Sequence, residues 1–195
     1  YHFIDYIYLS IFIMLFSDTY KEITSKAKGE YKEKGSKFIA YCFPVYSEKE
    51  VKNKIEKIKK IEYAAKHHCY AFMLNPDQSA YRFNDDGEPT STAGKQILTQ
   101  IQSNELTNIL IIVVRYFGGI KLGIRGLIRS YTTASANAIL NSNIITKTIK
   151  EKYAVSFKYE QINNVMRLIK ENELEIIKTD LNINSEIIFS INKHK

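Results

Sequence analysis

The sequence predicts an α+β protein arranged as two unequal domains, and three observations carry that reading. Residues Ile109 to Arg115 form an almost unbroken aliphatic run between polar punctuation, as expected for a strand buried on both faces. Apolar residues elsewhere recur at helical spacing behind recognisable helix starts. After about Lys150 the texture changes to strand, helix, strand, strand, which is the order of a split βαβ unit. The boundaries that follow are 1–16 for an apolar extension, 17–148 for a first domain and 149–195 for a second, which is expected to lack its final helix.

Taken in order, Tyr31 to Phe43 follows a basic, glycine-punctuated lead and reads as an early strand or hairpin. Ser47 opens a helix with a capping box that ends at Glu50. Val51, Ile55, Ile58 and Ile61 fall on one face of that helix, and lysines fill the rest. His67 to Leu74 is a strand ended by the turn Asn75-Pro76-Asp77. Tyr81 to Phe83 is a short strand running into the turn Asp85-Asp86-Gly87-Glu88-Pro89. Thr90, Ser91 and Thr92 are the expected hydroxyl caps of a helix carrying Ile97, Leu98 and Ile101. Beyond the aliphatic strand, Leu127, Ile128, Tyr131, Ala134, Ala138 and Ile139 mark an apolar stripe with Arg129 off it, and Asn141 and Asn143 are stop signals. In the second domain the elements are 152–159, 161–172 and a strand pair turning at Asn182 to Ser185.

A chain of 195 residues can bury a core without staples. Its 28 Lys and Arg against 21 Asp and Glu leave a net charge of +7, which favours polyanionic partners. Cys42 and Cys69 are the only cysteines and form neither a disulfide framework nor a zinc pattern, consistent with a reducing cytoplasm. Tyr6 to Phe16 is apolar but shorter than the ~20 residues of a membrane span, and it lacks the basic lead and cleavage site of a signal peptide. Residues 1–13 are therefore expected to be upstream sequence, with Met14 as the natural start and no membrane partner, the rival reading being an N-terminal membrane anchor.

The chemistry concentrates where the aliphatic strand meets a glycine-rich turn and a helix. Gly118, Gly119, Gly123 and Gly126 allow close backbone approach, with Arg115, Lys121, Arg125 and Arg129 around them. A helix start offers unpaired N–H groups and partial positive charge, so this segment suits an anion such as phosphate. The P-loop pattern fails, because Gly123 is followed by Ile124 and Arg125 where Lys and a hydroxyl are required. The dinucleotide pattern fails because Gly118 and Gly119 are adjacent. Asp85, Asp86 and Glu88 are a candidate hard-cation site, against the plainer reading of turn acids that cap amides or pair with the loop cations. His67 and Cys69 share a strand face that His68 does not, so the three together are no metal set. For Cys69 or Ser91 as nucleophile, no base or oxyanion site is legible.

The segments KGSKFIAY, HHCYAF, RFNDDGEPTSTAGKQIL and VVRYFGGIKLGIRGLIRSY, in that order, resemble the YigZ/Impact family over roughly 18–140 and 152–191. The resemblance implies a first domain folded like the second domain of ribosomal protein S5 and a ferredoxin-like second domain similar to one in elongation factor G. It carries Asp85, Asp86, Gly87, Glu88, Thr92, Ala93, Gly94 and Lys95 over as family-like positions. In the glycine-rich segment it carries Arg115, Tyr116, Gly118, Gly119, Lys121, Leu122, Gly123, Gly126, Leu127, Arg129 and Tyr131. Many members read Leu-Gly-Thr-Gly-Gly-Leu where this chain has Ile124 and Arg125, so a hydroxyl and a glycine give way to an aliphatic and a cation. Eukaryotic Impact proteins regulate translation by binding the activator of an initiation-factor kinase, and the domain that precedes theirs is not matched here.

The leading expectation is a non-catalytic, cytoplasmic RNA- or ribosome-associated protein of translation control, without cofactor, metal or catalytic residue. Its anion-binding set is Lys95, Arg115, Tyr116, Gly118, Gly119, Lys121, Gly123, Arg125, Gly126, Arg129 and Tyr131. A translation factor or kinase regulator is a further expected partner. Two other readings stand beside it. One is a metal-assisted enzyme acting on a phosphorylated or carboxylated molecule between the acidic turn and the glycine-rich loop. The other is a protein-interaction module.

Overall fold

The computed structural model describes residues 18–192, and the apolar N-terminal run lies outside them. The described chain forms two compact units, one of Tyr20–Lys147 and one of Thr148 onward together with Asp18 and Thr19.

In the larger unit, apart from the end residues Thr19 and Thr148, the strands are β1 (Thr19–Ile23), β2 (Ala27–Glu33), β3 (Ser36–Pro44), β4 (His67–Leu74), β5 (Ala80–Asn84), β6 (Ile109–Tyr116) and β7 (Ile144–Thr148). The helices are α1 (Glu48–Ile61), α2 (Gly94–Ser103) and α3 (Gly123–Leu140). Five strands make one antiparallel sheet in the order β2-β3-β6-β4-β5, while β1 and β7 pair separately. The central β6 explains its own composition. Ile109, Ile111 and Val113 pack with Ile97, Leu127, Tyr131 and Ala134 of α2 and α3, whereas Leu110, Ile112 and Val114 pack with Val51 and Ile58 of α1. The strand is thus sandwiched between helices on both sides, as its unbroken hydrophobicity demands, each aliphatic side chain contributing about 1.5–3 kcal/mol by its burial.

The early hairpin is β2–β3, turned by Lys34 and Gly35, both left-handed at φ 46° and 78°. The α1 cap holds in part: the Glu50 N–H donates to Ser47 Oγ at 3.3 Å, but the Glu50 carboxylate accepts from Tyr46 N rather than from Ser47. Ile61, assigned to the buried face, is 58% exposed, because the helix ends there before another turn meets the sheet. The α2 cap differs more. Its N-terminus carries no local side-chain cap, and the Thr92 hydroxyl donates instead to the Pro89 carbonyl. Asp85 supplies the cap from the preceding turn, accepting from Ala93 and Gly94 at 3.0 and 2.8 Å through Oδ1, and from Ser91 at 2.9 Å through Oδ2. Helix α3 follows its predicted stripe, with Leu127, Tyr131, Ala134, Ala138 and Ile139 buried. It runs so close to β2 that a Cβ on Gly29 would lie 2.3 Å from the Ala138 nitrogen.

The smaller unit contains β8 (Lys150–Lys158), α4 (Ile162–Glu171), β9 (Glu175–Asp180) and β10 (Asn184–Asn192), its strands in the antiparallel order β8-β10-β9. Ile169 of α4 and Ile187 of β10 are its buried apolar side chains.

Candidate functional site

The C-terminal end of β6 delivers Arg115 beneath the glycine-rich loop, and the acidic turn after β5 delivers Glu88 to meet it. Arg115 Nη1 donates to Glu88 Oε1 at 2.7 Å, with the side chains only 8% and 3% exposed. The Tyr131 hydroxyl, one helix turn below Leu127, donates to the same carboxylate oxygen at 2.8 Å. The guanidinium also lies 5.6 Å from the ring centres of both Phe38 and Phe117. Those aromatic faces favour a desolvated cation. Its Nε is buried without a hydrogen-bond partner. The pair therefore neutralises itself in a water-poor setting, where each charge depends on the other.

His67 and Cys69 flank this network from β4. His67 Nδ1 donates to the Asp86 carbonyl at 2.8 Å, an assignment that leaves Nε2 facing Glu88 Oε1 at 3.9 Å. The Cys69 thiol lies 3.4 Å from Tyr131 Oη and 3.0 Å from the Asp85 carbonyl. Burial pushes both thiols up, Cys42 to about 12 and Cys69 higher still, and burial likewise raises the Tyr131 hydroxyl. Neither cysteine is a thiolate nucleophile in the folded chain. Iodoacetamide at neutral pH is accordingly expected to leave both unmodified until the protein unfolds, as mass spectrometry of native and urea-treated samples would report. Rapid native alkylation of Cys69 would contradict this packing.

The loop above the network mixes packing with openness. Gly118 N donates to Ser36 Oγ at 3.1 Å, and a Cβ on Gly118 would lie 1.9 Å from the Gly35 carbonyl carbon. This glycine serves the contact with the β2–β3 turn and is not reserved for a ligand. Gly119 and Gly123 are left-handed, at φ 88° and 68°, with open space where a Cβ would stand. Helix α3 begins at Gly123 with no side-chain cap and no acid in its first turn. A cleft of about 430 Å³ opens here, lined by His67, Glu88, Arg115, Phe117, Lys121 and Ile124 among others.

The anion-binding residues are thus only partly gathered. Arg115, Lys121 and Gly123 share the cleft, although Arg115 is already paired with Glu88. Arg129 reaches away from the cleft, its Nη2 donating to Glu33 Oε1 of β2 at 2.6 Å. Hydrogen bonding to Tyr31, and then Arg129, holds the Glu33 carboxyl below its usual value. Arg125 and Lys95 are exposed and outside the cleft lining, Tyr131 is sealed in the core, and the Tyr116 hydroxyl bonds to Glu62. Gly126 packs against Leu122, where a Cβ would come within 2.9 Å. A single cradle closed by all four cations of the loop does not form, because two of them find carboxylates of their own chain.

The acidic turn is similarly committed. Asp85 caps α2, and Asp86 accepts from the His68 N–H at 2.7 Å and sits 3.6 Å from Lys59. Glu88 holds Arg115 and Tyr131, and among the described residues no group of His, Cys, Asp and Glu is placed to hold a metal ion. Phe38, Phe117, Ser36 and Glu33 escaped the reading of residue types. Their roles depend on long-range pairing, and the only signal was the KGSK turn within the family motif.

Together these features define a class: a two-unit α+β protein whose larger unit carries a glycine-rich strand-to-helix loop above a buried Glu–Arg–Tyr network. A family model described as the Impact N-terminal domain matches residues 34–139, which span that loop and network. The chain belongs to the Impact family. It is 33% identical over 153 residues to the IMPACT family member YvyE of Bacillus subtilis, covering 77% of this chain and 70% of that one. It is also 33% identical over 149 residues to the IMPACT family member YigZ of Escherichia coli, covering 75% and 73%. A crystal structure described as that of a hypothetical protein superposes with a TM-score of 0.72 at 28% identity, covering 90% of this chain and 86% of that chain. Among the described residues no helix is long and apolar enough to cross a membrane.

Proposed function

We propose that this chain is a non-catalytic, cytoplasmic protein of translation control that associates with RNA or the ribosome, contacting backbone phosphates at the start of α3. In this reading the larger unit is the S5 domain 2-like domain of its family and the smaller one is ferredoxin-like. A translation factor or kinase regulator is a further partner class, taken from the eukaryotic members. The observation that carries the reading is the uncapped, acid-free N-terminus of an 18-residue helix, with Lys121 and Arg125 both exposed beside it. Free backbone donors and unneutralised cations suit an anion, and the net charge of +7 adds long-range attraction to a polyanion.

The contacts are to phosphate and not to base edges, so they position RNA without selecting its sequence. Lys121→Glu and Arg125→Glu are each expected to weaken binding of labelled oligoribonucleotides about five- to tenfold, equally across sequences. Fluorescence anisotropy measures this directly. Unchanged affinity in both variants would remove the loop from the interface. An enzyme reading is not advanced, since the acidic turn and Arg115 are engaged with one another.

A further inference from the structure

A second basic surface lies in the same unit, in the groove between α1 and the β2–β3 hairpin. We infer that this groove is a stacking platform for single-stranded RNA, with Tyr41 and Phe43 receiving bases and Lys26, Lys28, Lys54 and Lys57 receiving the phosphates between them. The inference rests on the RNA-associated reading above and gives it a second site, independent of the glycine-rich loop.

Tyr41 and Phe43 stand two residues apart on β3, so they share one face of the strand. Their rings are nearly parallel, with centres 6.4 Å apart and planes inclined by 14°. Both rings are half-buried. A lysine sits over each: Lys28 Nζ is 5.8 Å from the Tyr41 ring centre, and Lys54 Nζ is 5.4 Å from that of Phe43. Lys26 and Lys57 complete the lining of a groove of about 430 Å³, which includes no carboxylate, although the Tyr41 hydroxyl donates to the neighbouring Glu62 carboxylate. Lys28 pairs with Glu30 on its own strand, while Lys26, Lys54 and Lys57 enter no ion pair among the described residues. The Glu50–Lys54 pair that helix spacing suggests does not form, because the Glu50 carboxylate turns back to the Tyr46 N–H. That frees Lys54 for the ring.

Flat aromatic faces interleaved with lysines, three of them unneutralised, match a chain of alternating bases and phosphates. Every base has a π-face, so such a platform is tolerant of sequence. A duplex keeps its bases stacked on one another and offers none to a ring. The occupant that fits both rings and charges is therefore single-stranded.

The test uses the full chain and a fluorescein-labelled oligouridylate, read by anisotropy at fixed salt. Wild type is expected to bind, and Lys54→Glu combined with Lys57→Glu is expected to weaken binding at least about tenfold. Both lysines lie on the outer part of α1, and thermal melting controls for folding. Phe43→Leu is expected to weaken binding several-fold while leaving the salt dependence unchanged. A 4-thiouridine-substituted oligomer should crosslink to the peptide bearing Tyr41 and Phe43, a readout that needs no variant. Undiminished affinity in the double lysine variant, with loss in Lys121→Glu, overturns the groove and keeps the loop reading. Preference for a duplex, or equal affinity for polyglutamate, overturns the platform. Absence of any RNA binding by wild type overturns both.

Discussion

Glu88→Ala is expected to lower the stability of the Tyr20–Lys147 unit by about 3–5 kcal/mol. The substitution removes the only carboxylate that Arg115 binds among the described residues, and its side chain is 8% exposed with an Nε that already lacks a partner. The guanidinium would remain between Phe38 and Phe117 with its charge uncompensated, and the Tyr131 hydroxyl would lose its acceptor. Glu88→Gln keeps the shape and one acceptor but not the charge, so it should fall between wild type and alanine. Replacing both partners by apolar residues, Glu88→Leu with Arg115→Met, should recover much of the loss, since the cost lies in the orphaned charge. Urea denaturation gives the comparison. A loss below about 1 kcal/mol for Glu88→Ala would mean that the ion pair is hydrated and unlike the one described.

Asp85→Ala should come next, at about 2–4 kcal/mol. One carboxylate accepts from three backbone N–H groups, and two of the donors, Ala93 and Gly94, are buried residues at a helix start that no neighbouring hydroxyl caps. Asp85→Asn retains a single acceptor oxygen and should recover part of the loss. Hydrogen exchange at Ala93 and Gly94 provides an independent reading: their protection should collapse in the alanine variant while that of β6 persists under native conditions. Full protection at both amides would show that some other group caps α2.

These two residues also mark how far the sequence could be read. Periodic features were legible because they are local. The double-sided burial of Ile109–Val114, the α1 start at Ser47 and the α3 stripe all follow from spacing and capping within a few residues. The family motif was legible too, since its segments keep their order. The Asp85 cap was not, because it reaches across a turn to a helix start whose nearest hydroxyl, that of Thr92, bonds to Pro89 instead. Nor was the fate of Arg129, whose partner Glu33 is 96 residues away. The short strands β1 and β7 lack hydrophobic alternation and owe their strand form to distant partners, each other and, for β1, also Leu106 and Thr107. Gly118 showed that a glycine-rich loop has two reasons to be rich in glycine. One of its glycines is spent on the Gly35 contact, and two others are left-handed and open.

The proposed grip on the phosphate backbone of RNA rests on cations that this chain's own carboxylates leave available. Affinity of the full chain for a single-stranded oligoribonucleotide, followed over increasing salt, tests it most directly. If Lys121, Arg125 and the three unpaired groove lysines, Lys26, Lys54 and Lys57, engage one phosphate each, the logarithm of affinity should fall against the logarithm of salt with a slope of about −3.5. Binding would then weaken by on the order of 10²–10³ between low and moderate salt. An affinity that ignores salt, or no measurable binding at low salt, would rule that grip out.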